Sequence, residues 1–425
     1  MSPRRRAIGA LAACAVASVA LFPAPGLAAS PPSVHAASPP SVHAPSPPSV
    51  HVRAAALIEA TTGRRLYGMN AGAEVPIASA TKLMTALVVL RHARLDQLLR
   101  APVYQLPAVD SQIGLQPGQR MTIRDLLIAM MLPSADDAAQ DLAYNVGGGS
   151  VSRFVAMMNA EAARLGLAHT HYSTPVGLDT PGNHSTADDL VTLAQYVLGS
   201  QPFLRHVVAM PTAQIKVGGE IRKVTNLNGL VGRVPWVDGM KTGHTLDAGY
   251  VLVGSGHRDG MTLISAVLGA SSESAREADT LILLNWGFAN FRLVAPVASG
   301  QVVASRPVKG RRGLRAALLA AAPFRRVVSR TTPVTTVVHA PSVLEGPLRK
   351  GAAVGNLVVL AGNVPVARIP LRLAGAVPAP PSSSTATTIA GPFTLVVVVL
   401  LLGVAVLRGR RERLTARRAA GQQQE

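Results

Sequence analysis

The chain of 425 residues has a single cysteine, Cys14, and only 4% aromatic residues. Cys14 lies in an apolar stretch after Arg4–Arg6, and Gly26-Leu27-Ala28 follows as a small-residue cleavage site, which predicts a secretory signal over residues 1–28. The four residues ending at Cys14 resemble a bacterial lipoprotein box, but the apolar run continues through Leu21, past the point where such a box would end it. Removal of the signal would leave no cysteine, so we expect no disulfide bond and a fold that depends on its hydrophobic core.

Acidic residues are scarce: 22 of them stand against 41 lysines and arginines, which gives a formal charge of +19. Three of the arginines lie near the N-terminus and six lie between Arg408 and Arg418. Both clusters flank apolar stretches, where positive charge marks the cytoplasmic side of a membrane. No nucleic-acid-binding motif accompanies the charge, so we expect no nucleic-acid partner.

Residues 389–407 form an almost unbroken apolar run of 19 residues. As a helix rising about 1.5 Å per residue, the run would span roughly 28 Å, close to the thickness of a bilayer core. A buried strand or helix is the alternative, but the arginines that follow favour a transmembrane helix. We therefore expect a single-pass protein of the cell membrane, with its body outside and a short basic cytoplasmic tail over residues 408–425.

A proline-rich repeat follows the predicted signal. The string Ser-Pro-Pro-Ser-Val-His begins at Ser30, Ser38 and Ser46, a period too short for a folded repeat. It predicts an extended polyproline-type linker. The predicted organisation is a signal peptide (1–28), the repeat linker (29–52), a main domain (53–291), a small β domain (292–374), a second linker (375–388), the span (389–407) and the tail (408–425).

Hydrophobic periodicity predicts a mixed α/β fold for the main domain. Residues 54–60 and 65–69 flank a Thr-Thr-Gly turn and read as a β-hairpin. Ser79 is expected to open a helix, because apolar residues recur after it at helical spacing. Further elements are predicted as helices at 123–131, 135–144, 152–165 and 275–288 and strands at 250–254 and 261–268. The predicted order is a strand region, then several helices, then a hairpin. This order indicates an antiparallel sheet with a helical subdomain rather than a parallel sheet of alternating strands and helices.

Three short motifs occur in order in the main domain: Ser79-Ala-Thr-Lys82, Ser134-Ala-Asp136 and Lys241-Thr-Gly243. An ordered set of this type is the signature of β-lactamases and penicillin-binding proteins. The chain has only six lysines, and two of them stand at motif positions. Because arginine cannot release a proton near neutral pH, this lysine usage favours amine chemistry at Lys82 and Lys241.

Ser79 and Lys82 lie three residues apart, so on a helix they share one face. At a helix N-terminus, Ser79 would lie in a field that favours a developing negative charge. The same field and a neighbouring cation would lower the pKa of Lys82 towards that of a useful base. The alternative for an isolated Ser-x-x-Lys is a helix cap followed by a surface lysine, and the other two motifs argue against it.

The second and third motifs also have structural interpretations. Ser134, with Asp137 three residues later, would form a capping box for the helix that follows. Such a cap can still present its hydroxyl group to a cleft. Lys241-Thr-Gly243 could be a plain turn, but residues 237–240 before it and 249–251 after it suit an edge strand, which could bind an extended peptide by backbone pairing.

The longer strings around the motifs resemble the low-molecular-mass penicillin-binding proteins, the D-alanyl-D-alanine carboxypeptidases of bacterial cell-wall maturation. The resemblance covers residues 53–291 and rests on these strings: Ile77-Ala-Ser-Ala-Thr-Lys-Leu-Met-Thr85, Pro133-Ser-Ala-Asp-Asp-Ala-Ala139, Pro175-Val-Gly-Leu178 and Asp238-Gly-Met-Lys-Thr-Gly-His244. It implies a penicillin-binding/serine β-lactamase-like fold and a hydrolase without cofactor or metal. Its substrate would be a peptidoglycan stem peptide ending in D-Ala-D-Ala, and β-lactam antibiotics would inhibit it covalently.

The resemblance also implies roles for single residues. Ser79 would be the nucleophile that attacks the penultimate D-alanine carbonyl, Lys82 the base, and Ser134 the relay that passes the proton to the leaving D-alanine. Backbone N–H groups of Ser79 and His244 would form an oxyanion hole, in which one donor is typically worth about 3 kcal/mol. Substrate binding would fall to Lys241, Thr242, Gly243, His244 and Asp136, with Lys241 and Thr242 holding the terminal carboxylate.

Asp136 departs from the family pattern, which usually has asparagine at this position. A carboxylate cannot donate the hydrogen bond that an amide would give to a substrate carbonyl. It would instead pair with Lys82, raise the pKa of that amine and slow it as a base. We expect activity to survive with an altered substrate preference.

Three alternatives remain open. A serine β-lactamase would need an additional deacylating base, and no Glu-x-x-Leu-Asn-like string occurs between the second and third motifs. A zinc carboxypeptidase would take ligands from His169, His171, Asp179 and His184, although no His-Glu-x-x-His motif frames them. A wall-binding protein whose catalytic site is disabled by Asp136 is the third alternative.

Overall fold

The computed structural model describes residues 46–103, 111–381, 403–404 and 406–409. The predicted signal peptide, the first two repeats and most of the predicted span and basic tail lie outside these residues. Among the residues described, no helix has the length and apolar character that crossing a bilayer requires.

Strands and helices of the first part of the chain follow one another between residues 54 and 290. In chain order, with a short 3-10 turn at Ala78–Thr81 before α1, they are β1 (Ala54–Glu59), β2 (Arg65–Met69), α1 (Lys82–His92), β3 (Leu98–Arg100), β4 (Arg120–Thr122), α2 (Ile123–Met131), α3 (Asp136–Val146), α4 (Val151–Arg164), α5 (Ala187–Ser200), α6 (Pro202–Val208), β5 (Thr212–Val217), β6 (Glu220–Thr225), β7 (Val237–Thr245), β8 (Gly249–Arg258), β9 (Met261–Ala270) and α7 (Glu273–Asn290). The helices predicted at 123–131, 135–144, 152–165 and 275–288 are therefore confirmed, with ends that differ by at most two residues.

A five-stranded antiparallel sheet organises these elements, in the strand order β2-β1-β9-β8-β7. Both predicted hairpins are present. The β8–β9 hairpin turns at Asp259 and Gly260, which both have positive φ, as the tightest hairpin turns require. Strand β7 pairs only with β8 in this sheet, so the predicted edge strand around Lys241 is confirmed.

Helices cover both faces of the sheet, which explains why β1 is buried along its whole length. Successive side chains of a strand point to opposite faces. Ala56 and Ile58 accordingly pack into the large core that contains α1 to α5, whereas Leu57 packs with Leu284 and Phe288 of α7. The sheet is thus the middle layer, and the segments around its β7 edge lie next to the start of α1.

Residues 291–381 contain strands and turns, in the region where the sequence predicts a small β domain. The strands are β10 (Phe291–Val297), β11 (Val302–Pro307), β12 (Arg315–Ala320), β13 (Phe324–Ser329), β14 (Val334–His339), β15 (Ala353–Ala361) and β16 (Val364–Leu373). Five of them form a second sheet in the order β11-β12-β16-β15-β14, while β10 pairs with β13. This sheet has its own hydrophobic core, which includes Leu318, Leu357, Val359 and Leu371.

Asp141, on α3, is a buried carboxyl group that makes folding depend on pH. Burial raises its pKa from 3.8 to about 7, helped by the neighbouring Asp137 carboxyl group and opposed by the hydrogen bond from Asn145. Because this pKa is higher in the folded chain than in the unfolded one, the favourable contribution is complete below pH 3.8 and is lost as the pH rises to about 7.

We therefore expect Asp141→Asn to stabilise the protein at pH 8 and to flatten the loss of stability between pH 4 and pH 7. The gain in the free energy of unfolding should be at most about 4 kcal/mol, since each pKa unit is worth about 1.4 kcal/mol. Urea unfolding at a series of pH values measures it. Asp96→Asn, at an exposed carboxylate, is the control that should follow the wild type, and equal pH dependence in all three proteins would contradict the prediction.

Candidate active site

Ser79 lies in a turn that is held between a strand and a loop. The prediction that Ser79 opens an α-helix is wrong in detail: it lies in the 3-10 turn, and α1 begins three residues later at Lys82. Ala78, just before it, has a φ of +48°. A Cβ on Gly177 would lie 2.0 Å from the Ala78 carbonyl oxygen, and a Cβ on Gly243 would lie 2.9 Å from the Ser79 nitrogen. Both neighbours must be glycine for the backbones to approach this closely.

The Lys82 amine is the centre of the site. Its side chain has no exposed surface, and its Nζ donates to Ser79 Oγ at 2.7 Å and to the Val176 carbonyl oxygen at 3.1 Å. It also donates to Ser134 Oγ at 3.4 Å and contacts the Asp136 carboxylate. The first two motifs, 52 residues apart in sequence from Lys82 to Ser134, therefore meet at one nitrogen atom.

Ser134 does not cap a helix, so the capping-box interpretation is wrong. The N-cap position of α3 is Ala135, and no side chain caps it. Ser134 has a φ of +64°, a left-handed conformation that costs an L-residue about 1 to 2 kcal/mol. The Asp137 carboxylate accepts backbone N–H groups of Ile113, Leu115 and Ala138 instead of pairing with Ser134. The strained turn directs the Ser134 hydroxyl group at Lys82.

Asp136 contacts Lys82, as the chemistry of its carboxylate suggested. It is the first residue of α3 and is 5% exposed, and its Oδ1 atom contacts Lys82 Nζ. The predicted pairing of these two residues is therefore confirmed, while its role in substrate binding stays a prediction. A carboxylate in contact with an amine favours the protonated amine.

Strand β7 carries the third motif along the edge of the main sheet. The Lys241 side chain is buried, and its Nζ donates to the Thr242 carbonyl oxygen at 2.9 Å. Burial and the nearby Lys82 charge lower the pKa of Lys241 well below its usual value, and the Arg276 charge acts in the same direction, whereas Asp136 raises it. Thr242 is buried beside it and His244 is exposed. In its protonated form the Lys241 amine is a suitable partner for a substrate carboxylate.

Arg276 is a charged residue near the site that sequence reasoning missed. It lies in the first turn of α7 and is 3% exposed, and its Nε atom has no hydrogen-bond partner among the described residues. The guanidinium group lies 5.8 Å from the centre of the Tyr250 ring, which in turn lies 4.1 Å from the His244 ring. No motif marks this residue, because only the packing of α7 against β8 brings it to the site.

The histidines considered as zinc ligands do not converge. Across the ranges that the structure describes, no group of three or more histidine, cysteine or acidic side chains is arranged to hold a metal ion. His169 and His184 both face Glu74, and His171 Nδ1 contacts the Gly182 carbonyl oxygen. Asp179 accepts a hydrogen bond from Thr245 of β7. These contacts tie loops together, and within the described part of the chain the four residues do not form a zinc site.

The approach of β7 to the Ser79 turn yields a mutational test. Gly243→Ala would place a methyl group 2.9 Å from both the Ser79 nitrogen and the Ala78 Cβ, so the strand must move away. A displacement of about 1 Å can cost roughly 100-fold in rate. We expect acylation by a fluorescent penicillin to slow by about that factor, with little change in far-UV circular dichroism.

Gly72→Ala is the matched control, because nothing lies within 4 Å of its new methyl group. It should acylate at the rate of the wild type. Equal acylation rates in Gly243→Ala and the wild type would show that the close approach does not position Ser79.

Comparisons with known proteins agree with this geometry. The model of the peptidase S11 family, described as D-alanyl-D-alanine carboxypeptidase, matches residues 41–272. The D-alanyl-D-alanine carboxypeptidase DacF of Bacillus subtilis is 28% identical over 72% of this chain and 81% of its own length. DacD of Salmonella typhimurium is 34% identical over 60% of this chain and 67% of its own. The solved structure of penicillin binding protein 6B from Escherichia coli superposes with a TM-score of 0.64 at 29% identity, covering 79% of this chain and 99% of that one. The chain has the mixed α/β fold of the penicillin-binding proteins and belongs to the D-alanyl-D-alanine carboxypeptidase family of peptidases.

Proposed function

We propose that the protein is a serine carboxypeptidase that removes the terminal D-alanine from peptidoglycan stem peptides. The observation that carries this proposal is the buried Lys82 amine, which contacts the hydroxyl groups of both Ser79 and Ser134. A lysine next to a serine can activate it as a nucleophile. A second serine on the same amine supplies a route for the proton.

The reaction follows from these contacts. Ser79 Oγ attacks the carbonyl carbon of the penultimate D-alanine while its proton passes to Lys82. The bond to the terminal D-alanine breaks, and its nitrogen receives a proton through the Ser134 hydroxyl group. The product is an ester between Ser79 and the shortened peptide, and water hydrolyses this ester. The Ser79 and His244 N–H groups are the proposed donors to the oxyanion.

Recognition of the free carboxyl terminus is the proposed task of the β7 edge. Lys241 and Arg276 are two buried basic side chains whose charges interact, with Arg276 also paired with Glu273, and Thr242 adds a hydroxyl group next to Lys241 in the strand. Burial and the Lys82 charge lower the pKa of Lys241, with a smaller contribution from Arg276, and a bound carboxylate would favour the charged amine. A substrate with an amidated C-terminus would lack this charge, which accounts for a carboxypeptidase rather than an endopeptidase.

Incubation with penicillin and mass spectrometry of the intact protein test the proposal. We expect one adduct per chain on the peptide that contains Ser79, and no adduct in folded Ser79→Ala. Lys82→Arg should lose at least about 100-fold in acylation rate, since arginine keeps the charge but cannot accept the proton. The wild type should also release free D-alanine from a peptide ending in D-Ala-D-Ala.

The other outcomes identify the alternatives. Rapid turnover of penicillin without a lasting adduct would indicate a β-lactamase. A folded wild type that forms no adduct and releases no D-alanine would indicate a wall-binding protein disabled by Asp136. Release of D-alanine that survives in Ser79→Ala would contradict the serine mechanism.

The Lys82–Asp136 contact predicts that Asp136→Asn shifts the pH profile of the reaction. Without the carboxylate, the neutral amine of Lys82 forms more readily, so acylation extends to lower pH. The pKa of Lys241 also falls further, because Asp136 raises it in the wild type, and binding of the substrate carboxylate is then lost at lower pH. We expect both limbs of the kcat/KM profile to move to lower pH, with the rate at pH 6 rising about tenfold or more.

Steady-state release of D-alanine between pH 5 and pH 10 measures this shift. Asp188→Asn, which removes a surface carboxylate paired with Arg65, is the control and should leave the profile in place. A profile for Asp136→Asn that coincides with that of the wild type would show that Asp136 does not control the ionisation of the site.

We also propose that the enzyme is exported and held in the cell membrane by one helix over residues 389–407. The support is the apolar run itself, the arginines that follow it, and the signal-like N-terminus. In cells that express the full chain, the protein should resist extraction by alkaline carbonate, and protease added to spheroplasts should digest its body. Recovery in the soluble fraction, or protection of the body from protease, would contradict the proposal.

A further inference from the structure

The strand region that follows α7 carries a highly one-sided charge. Residues 292–381 contain 13 lysines and arginines and a single acidic residue, Glu345. Catalysis gives no reason for this excess, since the three motifs and Arg276 lie earlier in the chain. A charge of this size and sign is a physical basis for binding a polyanion.

Over half of these cations lie at one end of the sheet. The turn between β11 and β12 contacts the last described residues of the body: Arg311 donates to the Ala379 carbonyl oxygen at 3.1 Å, and a Cβ on Gly310 would lie 2.9 Å from Pro381. The backbone pairing of Leu348 with Val377 adds the segment before β15 to the same end. We call this surface the exit end, and its exposed cations are Lys309, Arg311, Arg312, Arg315, Arg349, Lys350 and Arg372.

Few of these cations are neutralised. Of the seven, only Lys309 has an ion pair among the described residues, with Glu345 at 2.9 Å. Arg312 and Arg349 are exposed, and their side chains form no hydrogen bond or ion pair among the described residues. Several of these side chains also donate hydrogen bonds within the domain, but six of the seven exposed charges have no acidic partner among the described residues, so the exit end presents a net positive charge to its surroundings.

The β11–β12 turn combines the charge with a concave, partly apolar surface. A depression of about 470 Å³ is lined by the turn, including Val308, Leu314 and three arginines. Leu314 at its tip is 42% exposed. An exposed apolar side chain flanked by arginines is typical of a segment that contacts the interface of a bilayer.

The position at which the chain leaves the second sheet indicates which anionic partner the exit end would bind. Pro381 lies against the β11–β12 turn, and the predicted span begins at residue 389. The seven residues between them reach at most about 25 Å even when fully extended. The exit end is therefore tethered beside the bilayer, where its attraction to anionic lipids acts over a Debye length of about 8 Å at physiological salt.

We propose that the exit end is a docking surface for the anionic lipid headgroups of the membrane that holds the chain. The arginines of the β11–β12 turn bind the headgroup phosphates, and Leu314 enters the interface beside them. This contact would fix the height and orientation of the body above the bilayer. The proposal rests on the proposed membrane anchor and is independent of the catalytic mechanism.

A fluorescent label at the turn tests the docking. In the full chain with Cys14→Ala, so that the new cysteine is the only thiol, Leu314→Cys is labelled with an environment-sensitive dye and placed in lipid nanodiscs. We expect a blue shift and brighter emission in discs with anionic lipid compared with zwitterionic discs, reversed by 0.5 M salt. Asn363→Cys, in the β15–β16 turn at the opposite end of the sheet, is the control. Its label should show the emission of a dye in water in both kinds of disc.

Matched charge variants separate a specific surface from overall charge. Arg312→Gln with Arg349→Gln removes two cations of the exit end, and Arg325→Gln with Arg368→Gln removes two exposed cations elsewhere in the sheet region. The first pair should weaken the docked population about tenfold or more, while the second should leave it nearly unchanged. Each variant should acylate with penicillin at the rate of the wild type, which shows that the body is folded.

The remaining outcomes would overturn the proposal. Equal emission from the Leu314→Cys label in anionic and zwitterionic discs would exclude docking to lipid charge. The same blue shift with soluble polyphosphate would assign the surface to a soluble polyanion instead. A full chain that does not enter zwitterionic discs would contradict the anchor and, with it, the tethered docking, while penicillin acylation would still report on the catalytic function separately.

Discussion

The site depends on the burial of one amine. Lys82 has no exposed surface and is held by two serine hydroxyl groups, a backbone carbonyl oxygen and a carboxylate. A buried charge without such partners would cost several kcal/mol. These partners come from the 3-10 turn before α1, from Ser134 just before α3 and Asp136 at its first position, and from the loop at Val176, so the amine fixes how those segments pack. The same contacts that make its burial tolerable position Ser79, the proposed nucleophile, and Ser134, the proposed proton relay.

The backbone around the amine is shaped for this arrangement. Ala78 and Ser134 both have positive φ, which few residues other than glycine adopt readily. Each strained residue is at or next to a serine that contacts Lys82, and each is held by buried surroundings. Strain concentrated at a catalytic site is a recurring feature of enzymes, because the rest of the fold can stabilise a geometry that a short peptide could not hold.

The sequence alone was sufficient to identify the candidate site residues that have distinctive chemistry. Lys82 and Lys241 stand out because the chain has so few lysines, and hydrophobic periodicity placed α2 and the β8–β9 hairpin correctly. Ser134 was misjudged as a possible cap, because its left-handed conformation depends on tertiary contacts and leaves no local pattern. Arg276 was missed for a similar reason: it lies 35 residues beyond Lys241 in the sequence and reaches the site only through the packing of α7.

In the proposed mechanism every turnover passes through Ser79 Oγ, activated by Lys82. The most direct measurement is rapid quenching of the reaction with a peptide ending in D-Ala-D-Ala, followed by mass spectrometry of the protein. We expect a transient mass increase equal to the acyl group of the substrate without its last D-alanine, located on the protein fragment that contains Ser79, with one D-alanine released for each acyl-enzyme formed. Release of D-alanine with no such intermediate under fast quenching, or an acyl group on another residue, would contradict it.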